Sequence, residues 1–437
     1  VIRILAWLVF LMPLAAGTPA TAAETPFLKS GRPLDERDFD ASATLKAQHS
    51  FPGTIKISEA DIDASQIKDH STLALEVDGA TLLATFVRSE QLNQPSKVSV
   101  PRDEAREKDV SDMTVWYGNL EPHINIEPFN AARQDPLNSI TLVKSKTGVT
   151  GVIRHGARLF WLWPMKNGKH LIVELDESKM PDEGNAPMPS GSGAVLEKSS
   201  PTESAGNVVI DVFTVIMQRA VDAYDGDMLA LMQLAVAQAN QSYINSDIGI
   251  SLRLSAYQVT NYSSSNFLDL DMSRLMDPKD GYMDDSMVIR EESFSDVVML
   301  IDDYGRVIEG DYLCGLAKQV GSTAATAVAA VNYRCIFNQT FAHELGHLQS
   351  ARHNPENDSG QGPYSYAHGY RYTVDAAQWR TLMAYPCVPW SSGCPVLNAW
   401  SNPDLRYNGV PMGDAQSADN RRVLELTKQS ISKYYSQ

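Results

Sequence analysis

"TFAHELGHLQSARHNP", Thr340–Pro355, sets three histidines and a glutamate within eleven positions. On an α-helix His343 and His347 stand one turn apart and about 40° around the axis, so both imidazoles lean to one face. Glu344 follows the first of them, where it reaches a water on a metal held by the pair without itself becoming a ligand. A bound zinc ion lowers the pKa of that water and the carboxylate takes its proton, which is the physical content of an HExxH pattern. Asn338 or Thr340 stands where a helix cap is needed, and Phe341, Ala342, Leu345 and Leu348 supply the face that packs beneath. Chance produces HExxH in roughly one chain in a hundred of this length. A third histidine six residues on, His353, makes a solvated helix with stray histidines rarer still.

Working outward, 437 residues suggest two domains plus processed ends. A formal net charge of −16 argues against long-range attraction to nucleic acid or to an anionic membrane. The first residues, "VIRILAWLVFLMPLAAGTPATAAETP", carry Arg3, an apolar run from Ile4 to Leu14, and small residues ending in Ala22 and Ala23. That is the order of a secretory signal peptide over residues 1–23, and the run is shorter than the roughly 20 residues that span a bilayer. The expectation is an exported protein, released outside the cell or into the periplasm, with no membrane segment after removal of the signal. Four cysteines, Cys314, Cys335, Cys387 and Cys394, fit that compartment as two disulfides. Closeness in sequence favours Cys314–Cys335 and Cys387–Cys394 among the three pairings.

"MPDEGNAPMPSGSGAVLEKSSPTESAG", from Met180 to Gly206, is dense in Pro, Gly and Ser and reads as a boundary, with a linker and activation region over 181–206. Residues 24–180 lack cysteine and carry strand-like stretches such as Ile140–Asp176, which alternates apolar and polar residues between Gly-containing turns as successive hairpins do. Downstream, "VVIDVFTVI" (Val208–Ile216), an amphipathic helix through Met228, Leu231, Met232, Ala235, Val236, Ala239 and Tyr243, then "SLRLSA" and "DVVMLID" belong to an order read as strand, helix, strand, helix, strand, with a partly parallel sheet. This predicts an α/β (α+β) domain over 207–437, with a mixed twisted sheet and an active-site helix, after a β-rich domain.

"HELGHLQSARH" resembles the HExxHxxGxxH of the metzincin zinc endopeptidases, and "TLMAYP", thirty residues later, resembles their Met-turn. The wider stretch from "CGLA" to "WSNPDLRYNGVPMG" is similar to bacterial reprolysin-like peptidases, particularly the peptidyl-Asp metallopeptidase group. The resemblance implies a single catalytic zinc ion held by His343, His347 and His353, with Glu344 as general base and later proton donor to the leaving amine. It also implies Met383 as an apolar floor under the metal and Tyr385 as a donor near it. Two positions depart from the pattern: Ser350 stands where the motif has glycine in a left-handed turn, at a cost of about 1 kcal/mol, and Asn354 stands where an aspartate is usual. His368 reads as a supporting loop residue, and His49, His70, His123, His155 and His170 as surface residues.

The resemblance further implies that residues 24–180 are an inhibitory propeptide and that the partners are protein or peptide substrates, with the enzyme a monomer. No cysteine is present there to occupy the zinc, which leaves steric cover or an oxygen ligand, with Asp176, Asp182 and Glu183 as acidic candidates. Substrate is expected along an exposed sheet edge at "GLAKQV" (Gly315–Val320), and an acidic residue after the scissile bond would meet Arg371 or Arg380. No glycine- and aspartate-rich nonapeptide array of the calcium-binding kind occurs. Competing readings are a thermolysin-like zincin, whose third ligand is a distant glutamate, and an inactive zinc-containing secreted binding protein.

Overall fold

A computed structural model describes residues 25–92, 112–188, 206–304, 312–360, 362–374, 378–387 and 394–435. The signal-peptide expectation over residues 1–23 and most of the expected linker fall outside these.

The β-rich half closes on itself. Nine strands run in the order Leu28–Pro33, Thr54–Ile62, His170–Leu175, Arg158–Pro164, Gly148–His155, Asn138–Ser145, Thr114–Leu120, Ala80–Gln91 and Leu73–Val77. A parallel pairing of Leu28–Lys29 with Leu75–Glu76 seals the barrel and removes its free edges. Phe160 and Leu162 point into the barrel core with Leu75, Leu142 and Ile172. The alternate residues Trp161 and Trp163 point outward and are just as buried. Both faces of that strand are apolar because the outer wall docks on the second half: Trp161 stacks on Phe337 with ring centroids 3.8 Å apart. His170 is likewise buried, not on the surface as the sequence suggested; its ring nitrogen accepts from the Val149 N–H at 3.0 Å.

The second half is built on a five-stranded sheet in the order Ile250–Thr260, Val208–Met217, Val297–Asp302, Val328–Asn332 and Gly315–Ala317. The first four are parallel and the last, at the edge, is antiparallel. Both faces are covered, so the strands read as continuous apolar runs. Phe213, Val215, Val298 and Leu300 meet the helices Leu268–Met276 and Asp284–Glu292. Ile210, Val212, Met299 and Val331 meet the helices Met228–Asn245 and Thr340–Leu348. The long helix Met228–Asn245 is buried nearly all round, beyond its predicted apolar stripe. Its second side is covered by the barrel through amides: Asn245 Oδ1 accepts from the Gln134 N–H at 3.0 Å, and Gln241 donates to the Ala132 carbonyl at 3.1 Å.

Disulfides join Cys314 to Cys335 and Cys387 to Cys394. The first fastens the edge strand to the 3₁₀ turn Tyr333–Asn338 that leads into the helix Thr340–Leu348. Among the described residues no helix is long and apolar enough to cross a membrane.

Candidate metal centre

The helix Thr340–Leu348 is buried along its whole length, His343, Glu344 and His347 included. Neither expected cap is used. Gln339, in a left-handed conformation, starts the helix without a side-chain cap, and the Thr340 hydroxyl donates instead to Glu183 Oε1 at 2.7 Å. Two residues past the helix, Ser350 has a φ of +73° and turns the chain sharply. Its N–H donates to the His347 carbonyl at 2.9 Å and that of Ala351 to the Gly346 carbonyl at 2.8 Å. Serine thus adopts the conformation for which the motif has glycine. The turn carries His353 back over the helix, where Arg352 N–H donates to Ala367 O and Gly369 N–H to Arg352 O. His368, donating from Nδ1 to the His353 carbonyl at 2.6 Å, buttresses this segment and is not a member of the cluster. Arg352, buried and paired with Asp358, ties down the loop that follows.

The three ring nitrogens converge. His353 Nε2 lies 3.1 Å from His343 Nε2 and 3.0 Å from His347 Nε2. His343 Nδ1 lies 2.9 Å from the Leu382 carbonyl and His347 Nδ1 2.9 Å from the Ala351 carbonyl. A carbonyl only accepts, so both Nδ1 atoms carry the proton and both Nε2 atoms present bare lone pairs. Burial holds all three histidines below their usual range, to about 4 for His347, and for His343 and His353 the neighbouring imidazoles add to it. One N–H on His353 Nε2 can satisfy only one of its two neighbours. A cation satisfies all three, and nitrogens at zinc–nitrogen bond lengths of about 2.0–2.1 Å in a tetrahedron sit roughly 3.3 Å apart. The donor set therefore fits a zinc ion.

Glu344 is fully buried and neither of its carboxylate oxygens closes a hydrogen bond. Burial, and then the nearby Glu183 carboxylate, pushes it well above the usual carboxylate range; the Ala317 amide pulls the other way, short of hydrogen-bond geometry. Gly315 makes this proximity of helix and edge strand attainable, because a Cβ there would stand 2.6 Å from Glu344 Oε1. Met383 is wholly buried, and a Cβ on Gly346 would meet its sulfur at 2.8 Å and Trp400 at 2.6 Å. The importance of Gly346 and Trp400 has no signal in the motif itself. Tyr385 stacks on His353 with centroids 4.2 Å apart, and its amide donates to Asn354 Oδ1 at 2.9 Å. The neutral amide at 354 thus anchors the segment that follows Met383.

The cleft is occupied by the chain itself. Gly184 N–H donates to Gly315 O at 2.9 Å, Cys314 N–H to Asp182 O at 2.9 Å and Val320 N–H to Pro187 O at 3.0 Å, so residues 182–187 lie along the edge strand, with a parallel bridge at Glu183 and Gly315. The Tyr385 hydroxyl donates to the Glu183 carbonyl at 2.8 Å. Burial pushes the Glu183 carboxyl up to about 8.

Residues 207–401 match the Reprolysin_5 model, described as metallo-peptidase family M12. A peptidyl-Asp metalloendopeptidase of Xanthomonas campestris pv. campestris is 39% identical over 95% of each chain. One from Stenotrophomonas maltophilia strain R551-3 is 38% identical over 96% of each, and one from strain K279a is 43% identical over 74% of this chain and 77% of its own.

Proposed function

The chain belongs to the M12 metallopeptidases and is a zinc metalloendopeptidase; from that premise we propose that it is exported as a latent proenzyme and cleaves peptide bonds before an acidic residue. His343, His347 and His353 hold the metal through Nε2. When bound, zinc supplies a Lewis acid that polarises the scissile carbonyl and acidifies the attacking water. Glu344 takes the proton of that water and hands it to the leaving amine. The unpartnered, buried carboxylate beside three converging imidazoles is the observation that carries this assignment. Such a group is costly to keep in a fold unless it acts.

Tyr385 holds its hydroxyl at the mouth of the same site, spent at present on the Glu183 carbonyl. With that contact gone, the hydroxyl is free to donate to the developing oxyanion. Substrate takes the edge strand Gly315–Ala317 by main-chain pairing, as residues 182–187 now do. Residues 24–180 are accordingly the propeptide, and cleavage within 181–206 releases the cleft. The name of the relatives supports the acidic preference.

Glu344→Gln tests the reading. Secreted wild type and variant are collected from the medium, sequenced at the N-terminus, and assayed after cleavage of the 181–206 region. The expected result is a loss of about 10²–10⁴ in kcat at equal zinc content, with the mature wild-type chain starting near residue 206. Equal turnover would discredit Glu344 as the base.

A further inference from the structure

The established chemistry leaves open which group reads the side chain after the scissile bond. Two arginines lie within reach of the site, and the structure separates them. Arg371 is spoken for inside the peptidase domain: it pairs with Glu356 at 3.1 Å and donates to the Pro386 carbonyl at 2.9 Å. Arg380, in the short strand Trp379–Arg380 just before Met383, is buried and lines a pocket with His343, Leu382 and Tyr385. Its described hydrogen bonds go to neutral dipoles, the Ala384 carbonyl at 2.6 Å and the Cys394 carbonyl at 3.3 Å. Both acceptors are fixed, one by the Met-turn segment and the other by the Cys387–Cys394 disulfide.

The carboxylates that line the pocket with this guanidinium are Glu177, Asp182 and Glu183. All three precede residue 207, where the match to the peptidase family begins. Glu177 is already held by Arg154 through two hydrogen bonds of 2.6 and 2.9 Å. Asp182 and Glu183 line the same pocket as Arg380 and His343. The latent chain therefore brings its own acidic residues to a buried cation that the peptidase domain surrounds with carbonyls.

We propose that Arg380 is the specificity-determining residue of the cleft, pairing with the acidic side chain that follows the scissile bond, and that Asp182, which lines the same pocket, stands in its place before activation. The proposal rests on the peptidase reading above. Its geometric basis is that one pocket is lined both by His343, a member of the histidine cluster, and by Arg380. A substrate carbonyl at the metal sends its next side chain there. A buried guanidinium facing carbonyl oxygens binds a carboxylate in preference to the isosteric amide, because only the carboxylate neutralises it.

The test uses protein expressed as the full chain, loaded with zinc and nicked within 181–206. Three peptides identical except for Asp, Asn or Ala after the scissile bond are compared for wild type, Arg380→Gln, Arg380→Lys and Arg371→Gln. The expected wild-type kcat/KM favours Asp over Asn by at least about tenfold. In Arg380→Gln that ratio falls to about one, chiefly through the Asp peptide, while Arg380→Lys retains part of it and Arg371→Gln all of it. Zinc content and melting curves check that the variants are folded. A ratio unchanged by Arg380→Gln, a ratio lost with Arg371→Gln instead, or an equal loss on all three peptides would each overturn the assignment. A wild type without acidic preference also ends it, yet leaves the peptidase reading standing; a wild type that cleaves nothing sinks that reading first.

Discussion

Two buried carboxylates, Glu177 beside the barrel and Glu344 in the helix Thr340–Leu348, have opposite surroundings. Glu177 meets Arg154 in a two-pronged ion pair, with both side chains almost wholly enclosed. Glu344 is enclosed just as fully and has no hydrogen-bond partner for either oxygen. A paired buried charge closes its own electrostatics and serves the architecture. An unpaired one, held in place by the packing around it, has the surroundings that the proposed role of general base calls for. The same contrast divides the arginines, since Arg154 is neutralised within the barrel and Arg380 waits among carbonyls. Burial alone therefore does not separate the two carboxylates; the presence or absence of a partner does.

The sharpest way to break the comparison is to make Glu177 resemble Glu344. Arg154→Met leaves a buried carboxylate uncompensated, and the expected loss is about 3–5 kcal/mol in denaturant unfolding. Replacing both partners, Arg154→Met with Glu177→Leu, is expected to recover most of that loss. If the single variant costs nothing, solvent reaches the pair and its structural role is wrong. The pair also pins the turn Glu177–Lys179, the point at which the chain leaves the barrel for the cleft.

A smaller effect is expected where the chain crosses the cleft. A Cβ on Gly184 would stand 2.6 Å from Leu316 Cδ1 and 3.0 Å from the Gly315 carbonyl, so only glycine lies this close to the edge strand. Gly184→Val should lift residues 182–187 off the strand without touching the metal site. The uncut chain, with its mass checked intact, is then expected to hydrolyse a small peptide about tenfold faster than uncut wild type, equivalent to about 1.4 kcal/mol. An unchanged rate would mean that this segment does not limit access to the site.

What was legible in the sequence divides along the same line between local and distant. The histidine spacing, the turn at residue 350, the alternation of the strands and the nearest-neighbour cysteine pairs are set by residues close in the chain, and the structure shows each of them. Closure of the barrel, the burial of His170, the two apolar faces of Arg158–Pro164 and the all-round burial of Met228–Asn245 depend on one half docking against the other. No periodicity carries that information. The use of Thr340 follows the same rule: its hydroxyl looked like a helix cap and instead meets Glu183, 157 positions away. Glu183 was legible as an acidic candidate, whereas its place on the edge strand was not. Arg380 was legible as one of two candidate cations for an acidic side chain, whereas the pocket that it lines is formed by segments far apart in the chain.

Ser350 gives the finest measure of how far the site departs from ease. Its φ of +73° is a left-handed conformation that costs an L-residue about 1–2 kcal/mol, and the turn cannot relax without moving His353 away from the other two histidines. Ser350→Gly removes the strain but loosens the unfolded chain, an opposing entropy of about 0.5–1 kcal/mol. The expected balance is a gain of about 0.5–1 kcal/mol, read as a rise of roughly 2 °C in melting temperature. Zinc content and peptide turnover are expected to stay as they were, because the turn keeps its geometry. A fall in stability would mean that the serine side chain, packed beside Gly321, contributes more than the strain removes. Looser zinc binding in the variant would show that the stiffness of serine helps to hold the third histidine in place.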